Sequence, residues 1–309
     1  MEPIFVLGCP RSGTTLLLRI LSAHGELAWV SKHQNALARR FDSLDWLAWF
    51  NRIYDLPHVG SRLLCHRDER RLKFALPSPA EPWFFWETHL RNMRWQRQNG
   101  QSRPHRRTED DLTEQEAQQA RAAVRRVMGW QGKPRFISKY TDFPRLRYLR
   151  KVFPGARFIR IVRDGRAVVN SYYTRMMNGD FHSWLDESER AWWISGWPEE
   201  WQEEWRERWQ HHPEAALAFT AFKWKYMKQQ IQKETAETSA AECTDVRYAE
   251  LVAHPRAQVS RLAEFCGLSV DARMKRLLQC TTLENRNDKW RDQLSDAQQD
   301  VLAVIVDAN

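Results

Sequence analysis

Gly8-Cys9-Pro10-Arg11-Ser12-Gly13-Thr14-Thr15 holds the densest chemistry in the chain: two glycines separated by four residues, a cation between them, and three hydroxyls. Backbone N–H groups of such a turn, and of a helix that begins just after it, can converge on one point where the helix dipole also favours negative charge. Pro10, Arg11, Ser12, Gly13, Thr14 and Thr15 are therefore candidates for a phosphate seat. A second anion-binding group is offered by Arg163 and by Ser171, eight residues later. A sharp turn at Asp164-Gly165 would bring the two onto one anion. Lys139 is a further cation at the end of an apolar run, and His33, Glu81, Glu87 and Asp142 are candidates for a proton-accepting base.

The elements that must position these groups are legible as a βα unit. Residues 4–7 are a short apolar run, read as a buried parallel strand, and the Leu/Ile-rich stretch from Thr14 reads as a helix ending near Gly25. The spacing of Gly8 and Gly13 is that of a nucleotide P-loop, which would continue with Lys and then Ser or Thr. Here Thr14 and Thr15 follow, and the cation sits inside the loop as Arg11. The missing lysine normally reaches the β- and γ-phosphates and the hydroxyl after it holds Mg²⁺, so ordinary kinase or NTPase chemistry is disfavoured. A basic turn ahead of a helix is the plainer alternative.

Residues 27–30 give a second apolar run, leading to His33. Ligands of open α/β sheets sit beyond the carboxyl ends of the strands, which places His33 beside the loop if this run is a strand. Residues 36–132 read as a mostly helical insertion. It contains the breaker cluster Pro77-Ser78-Pro79-Ala80-Glu81-Pro82 and the aromatic run Pro82-Trp83-Phe84-Phe85-Trp86-Glu87. Regular α/β patterning returns with a strand at 135–139 ending in Lys139, a helix at 145–153 stopped by Pro154-Gly155, and a strand at 157–162. A right-handed crossover makes these strands parallel and brings Lys139 and Arg163 to one edge. In the segment 180–227, Trp197, Trp201, Trp205 and Trp209 recur every four residues among glutamates. That stripe reads as helix packing or as a lid over a cavity. Residues 243–248 read as the last strand and 255–266 as a helix.

Composition sets the outer limits. At 309 residues the chain can bury an α/β core as one domain, residues 1–309. Lys and Arg outnumber Asp and Glu by 48 to 39, a formal charge of +9, which fits a polyanionic ligand without choosing among nucleic acid, anionic lipid and a phosphorylated nucleotide. The arginine-rich stretch Arg91, Arg94, Arg97, Arg103, Arg106 and Arg107 reads as a solvated surface rather than a nucleic-acid patch. No run of about 20 apolar residues exists to span a bilayer, and the first strand begins too near Met1 to leave room for a secretory signal. The five cysteines, Cys9, Cys65, Cys243, Cys266 and Cys280, are scattered and odd in number. The expectation is a cytoplasmic chain with neither a disulfide framework nor a zinc site.

The wording Pro10-Arg11-Ser12-Gly13-Thr14-Thr15, followed far downstream by Val162-Arg163-Asp164-Gly165-Arg166-Ala167, resembles the sulfotransferases that use 3′-phosphoadenosine-5′-phosphosulfate (PAPS), closest to their tyrosylprotein and bacterial branches. The resemblance implies a P-loop-like three-layer α/β fold, a central parallel sheet flanked by helices and helical insertions. It implies transfer of the sulfuryl group of PAPS to a hydroxyl or amine without a metal, releasing PAP. It gives Arg11 as loop arginine, Lys139 as catalytic lysine, Arg163 and Ser171 as holders of the 3′-phosphate, and Tyr248 as an adenine contact. Arg286 and Lys289, in Asn285-Arg286-Asn287-Asp288-Lys289-Trp290, correspond to the basic loop that folds over the donor. One departure matters: twenty-one residues beyond Arg11, where the tyrosylprotein branch has its glutamate base, this chain has Lys32. The base is then sought at His33 first, then at Glu87, Glu81 and Asp142. The acceptor remains open among small molecules, lipids, glycans and peptides, with no nucleic-acid partner expected. The competing classes are a P-loop nucleotide kinase and a non-catalytic nucleotide- or nucleic-acid-binding protein.

Overall fold

Strand β1 (Ile4–Gly8) is buried along its whole length and divides its side chains between two cores, Ile4 and Val6 on one face, Phe5 and Leu7 on the other. A strand covered on both faces carries no polar alternation, which is why it reads as an unbroken apolar run. The computed structural model describes residues 2–38, 44–55, 77–90, 96–98, 101–103, 109–141, 145–179 and 187–307. After β1 come α1 (Thr14–Leu21), β2 (Leu27–Ala28), α2 (Lys32–Ala38), a 3-10 segment Leu44–Asp55, α3 (Trp83–His89), the hairpin β3 (Gln96–Gln98) and β4 (Gln101–Arg103), and α4 (Glu114–Gln131). The unit β5 (Arg135–Thr141), α5 (Leu146–Val152) and β6 (Arg157–Val162) follows, then α6 (Gly165–Met177), α7 (Glu187–Ile194), α8 (Glu199–Glu204), a π-turn Trp205–Trp209 and α9 (Ala215–Ala236). The chain closes through β7 (Cys243–Arg247), α10 (Tyr248–Ala253), α11 (Pro255–Phe265), α12 (Ala272–Cys280), α13 (Lys289–Gln293) and α14 (Asp296–Val306).

Five parallel strands form the central sheet in the order β2-β5-β1-β6-β7. One face packs against α3, α4 and α5 through Trp86, Val124, Leu149 and Val152. The other packs against α1, α10, α11 and α12 through Leu17, Leu251, Leu262 and Leu277. This is the expected three-layer α/β architecture. Because β1 lies between β5 and β6, with Gly8 level with Thr141 and Leu7 with Arg160, the ends of all three strands open onto one edge. That edge is where a doubly wound sheet places its ligand. Among the described residues, no helix is long and apolar enough to cross a membrane.

Several local features depart from the sequence reading. Strand β2 stops at Ala28 rather than Val30, because the next residues pair elsewhere. Ala80 N donates to Val30 O at 3.2 Å, Lys32 N to Ser78 O at 3.0 Å, and Ser31 bridges Pro79 in antiparallel sense. Part of the arginine-rich stretch forms the β3–β4 hairpin, whereas Arg91, Arg94, Arg106 and Arg107 lie outside the described residues. Tyr248 opens α10 instead of ending the last strand. Trp197, Trp205 and Trp209 are buried in a third cluster with α6, α9 and α14, and Trp197 stacks on Phe222 at 5.2 Å between ring centres. At the π-turn Gln210 N reaches back to Trp205 O, at 2.8 Å, across five residues. The tryptophan stripe thus packs the core, with only Trp201 half-buried.

Candidate functional site

The loop after β1 is held open by its backbone. Gly13 caps α1 with φ +106°, a left-handed value that glycine adopts readily, and a Cβ there would lie 2.7 Å from Tyr248 Cδ2. Arg11 takes φ +71°, uncommon for a residue with a side chain and sustained only where surrounding contacts hold it. One such contact is visible: Arg163 Nη1 donates to Arg11 O at 2.8 Å. The N–H groups that open α1 have no intrahelical acceptor and point into the loop. Ser12 Oγ is buried and has no hydrogen-bond partner among the described residues. A buried hydroxyl left without a partner in the loop ahead of a helix fits an anion that this loop would hold.

The two sequence motifs meet. Ser171, about two turns into α6, accepts a hydrogen bond from Arg11 Nε at 3.1 Å. Arg163 leaves β6 and places its guanidinium 4.3 Å over the Tyr248 ring, donating also to Arg286 O at 2.7 Å and to Asn287 Oδ1 at 3.0 Å. Among the described residues all its hydrogen-bond acceptors are neutral oxygens. Burial pulls this guanidinium below the usual arginine range, with Tyr248 and Asp164 acting the other way. A half-buried cation whose acceptors carry no charge is suited to pairing with an anion.

The turn between β6 and α6 is built around Asp164 and Gly165. Asp164 caps α6 by accepting from Arg166 N at 2.8 Å and pairs with Arg166 Nη2 at 3.0 Å. Although burial works against it, that bond and charge hold the Asp164 carboxyl below the usual carboxylate range. Gly165 is required for space: a Cβ would overlap the indole of Trp224 on α9. Arg166 in turn covers Trp290 on α13 at 4.9 Å, and Asn170 donates to Gln293 Oε1 at 2.8 Å, so the C-terminal segment is tied to α6.

Lys139 projects from β5 toward α1, 7% exposed, and donates to Thr15 Oγ1 at 2.9 Å and to Glu81 Oε2 at 2.8 Å. Glu81 also accepts from Thr141 N at 2.8 Å and from Thr141 Oγ1. The other base candidates sit on α2 and α3. His33 is half-buried in the first turn of α2 and Glu87 is half-buried on α3. Asn35 ties these helices by accepting from Phe84 N at 2.8 Å. Asp142 lies outside the described residues. Tyr248 is 5% exposed, its ring between Gly13 and Arg163 and its hydroxyl donating to Glu284 O at 3.3 Å. Arg286 joins the site through its carbonyl while its side chain pairs with Glu284 at 2.9 Å, and Lys289 is exposed at the start of α13. Asn287 and Trp224 were not foreseen; their only signal is proximity to Arg286 for the first, and none in sequence for the second. Among the described residues no group of three or more His, Cys, Asp or Glu could hold a metal.

Comparison with known proteins bears on this geometry. Protein-tyrosine sulfotransferase A of Caenorhabditis elegans is 26% identical over 124 residues, which is 40% of this chain and 25% of that protein. The match thus spans a quarter of the relative's length. Among solved structures, a sulfotransferase from Mycobacterium avium superposes with a TM-score of 0.54 at 15% identity, covering 100% of this chain and 76% of that one. Another, from Mycobacterium tuberculosis H37Rv, gives 0.51 at 16% identity over 98% and 77%. Both share the fold described above. The signature of one family extends over residues 3–220 and 202–272, from β1 through α11 and into α12. It takes in both anion-binding motifs and most of the chain, which therefore belongs to the sulfotransferase family.

Proposed function

We propose that this protein transfers the sulfuryl group of PAPS to a hydroxyl or amine, releasing PAP, and that residues 1–309 act as one catalytic domain. The observation that carries this reading is the meeting of Arg11, Ser171 and Arg163 at the mouth of the glycine loop. Two anion seats so close together suit one ligand with phosphates at both ends. Gly13, Thr14 and Thr15 N–H groups with Ser12 Oγ would receive the 5′-phosphate, flanked by Pro10. Arg163 and Ser171 would receive the 3′-phosphate, with Tyr248 beside the adenine and Arg286 and Lys289 closing over it.

The donor supplies a sulfuryl group on a phosphate leaving group, and the chain's task is to stabilise the charge that collects on that phosphate. Arg11 and Lys139 supply positive charge from the loop side, and Lys139 does so from a nearly dry position where such charge acts most strongly. A base near α2 and α3 removes the acceptor's proton; His33, Glu81 and Glu87 stand on that side. The acceptor is a small molecule, lipid, glycan or peptide. Calorimetric titration with PAP, with ATP and Mg²⁺, and with a DNA oligonucleotide tests the reading. The expected result is binding of PAP in clear preference to the other two; preference for ATP or DNA would overturn it.

A further inference from the structure

Glu81 stands 58 positions before Lys139 in the sequence yet touches it, and its placement is rigid. Residues 78–80 run along 30–32, with Ala80 N bonded to Val30 O, and Pro82 restricts the backbone of Glu81 to an extended form. The carboxylate is then fixed by unequal contacts. Oε1 takes both donors of Thr141, whereas the partner of Oε2 is the Lys139 ammonium at 2.8 Å. That same ammonium reaches Thr15 Oγ1, on the first turn of α1, inside the loop that gathers N–H donors. Lys139 therefore stands between the phosphate seat and Glu81, and an anion in the seat competes with Glu81 for it. Among the described residues the Lys139 ammonium bonds to Thr15 and Glu81, and not to His33 or Glu87.

We infer that Glu81 is the base of the reaction and that Lys139 masks it until the donor is bound; this rests on the sulfuryl-transfer reading above. With the donor seated, the ammonium turns toward the leaving phosphate and Glu81 Oε2 is released, while Thr141 keeps the carboxylate in place. The acceptor oxygen then bonds to sulfur as the bond from sulfur to the phosphate oxygen breaks. The acceptor's proton passes to Glu81 Oε2, and the electron pair of the broken bond stays on the phosphate, facing Lys139. One lysine thereby couples the two halves of the reaction: the base is uncovered only when there is a leaving group to stabilise. The arrangement implies that donor binds before acceptor.

The test uses the full chain with Glu81→Gln, which preserves shape and the ability to accept from Thr141. PAP affinity is measured by calorimetry, and turnover by transfer from labelled PAPS to a fractionated cell extract. Release of Lys139 from a competitor predicts that the variant binds PAP about three-fold or more tightly than wild type, while transfer falls by roughly 10²- to 10⁴-fold, the range for loss of a general base. A glutamate that merely props Lys139 in place predicts weaker PAP binding, and that result overturns the inference, as does transfer at the wild-type rate. Glu81→Asp keeps a carboxylate and is expected to recover part of the transfer that Glu81→Gln loses. If Glu81→Gln does not fold, the same comparison is made with Glu81→Asp: PAP binding at or above wild-type strength with reduced transfer supports the inference, and weakened PAP binding refutes it. Failure of wild type itself to bind PAP would instead refute the reading of the function.

Discussion

Replacing Arg163 with alanine separates the two anion seats most cleanly. In the free protein the guanidinium donates to Arg11 O, Arg286 O and Asn287 Oδ1 and covers the Tyr248 ring. Each such charge-assisted bond contributes about 1.5–3 kcal/mol, and desolvation of the half-buried cation offsets most of the sum, so a stability loss of about 1–3 kcal/mol is expected. The loss in ligand binding is larger. Truncating one partner of a desolvated charge pair costs about 2–5 kcal/mol, or roughly 30- to 4,000-fold in affinity at 1.4 kcal/mol per decade. Isothermal titration with PAP and with 5′-AMP localises the effect, because only PAP carries the 3′-phosphate assigned to Arg163. The variant should lose PAP affinity in that range and 5′-AMP affinity by clearly less, the smaller loss arising because Arg163 also braces Arg11 O and covers Tyr248. Arg163→Lys should fall between, since an ammonium keeps the charge but lacks the planar fork that serves three acceptors. Equal losses for both ligands, or PAP binding within three-fold of wild type, would refute the assignment.

Lys139→Ala and Arg11→Ala should each lower the rate of transfer from PAPS by about 10²- to 10³-fold; near wild-type turnover in either variant would remove that residue from the chemistry. Gly165→Ala forces a methyl group into the Trp224 ring and should cost about 1–3 kcal/mol in urea unfolding, as overpacking does; an unchanged midpoint would show that the turn has slack. Trp205→Ala empties a core position, 3% exposed, and should cost about 3–5 kcal/mol, against a clearly smaller loss for half-buried Trp201→Ala; equal losses would contradict the packing described for the stripe. Burial pushes the Cys243 thiol up to about 11 and the Cys266 thiol to about 12, whereas an unfolded thiol ionises near about 8.5. Between about pH 9 and 11 the folded state then holds more protons than the unfolded one, so stability falls as pH rises. Urea midpoints of wild type and Cys266→Ala across this window check the sign: the variant's slope should be shallower, and identical slopes would refute the contribution of Cys266.

Local signals made the frame readable. β1, the loop and α1 are adjacent in sequence, and the β5–α5–β6 unit carries its own strand, helix and stop signals, so their bounds emerge within a residue or two, except that α1 stops at Leu21, short of the end expected near Gly25. Strand order was beyond such reasoning, because nothing local says that β1 lies between β5 and β6. The link between Lys139 and Glu81 was hidden for a similar reason. It depends on a short antiparallel pairing of residues 78–80 with 30–32, which diverts what looked like the end of β2. Nothing local in the sequence sets Glu81 above His33 or Glu87, which stand ahead of it among the base candidates. Spacing alone could not separate a tryptophan lid from a tryptophan core; the π-turn and the facing Phe219 and Phe222 decide it.

The most direct measurement is a crystal structure of the protein soaked with PAP. One molecule is expected at the edge formed by β1, β5 and β6, its 5′-phosphate on the N–H groups of Gly13, Thr14 and Thr15, and its 3′-phosphate between Arg163 and Ser171. Density for the two phosphates at separate, unconnected positions, or for PAP away from that edge, would contradict it.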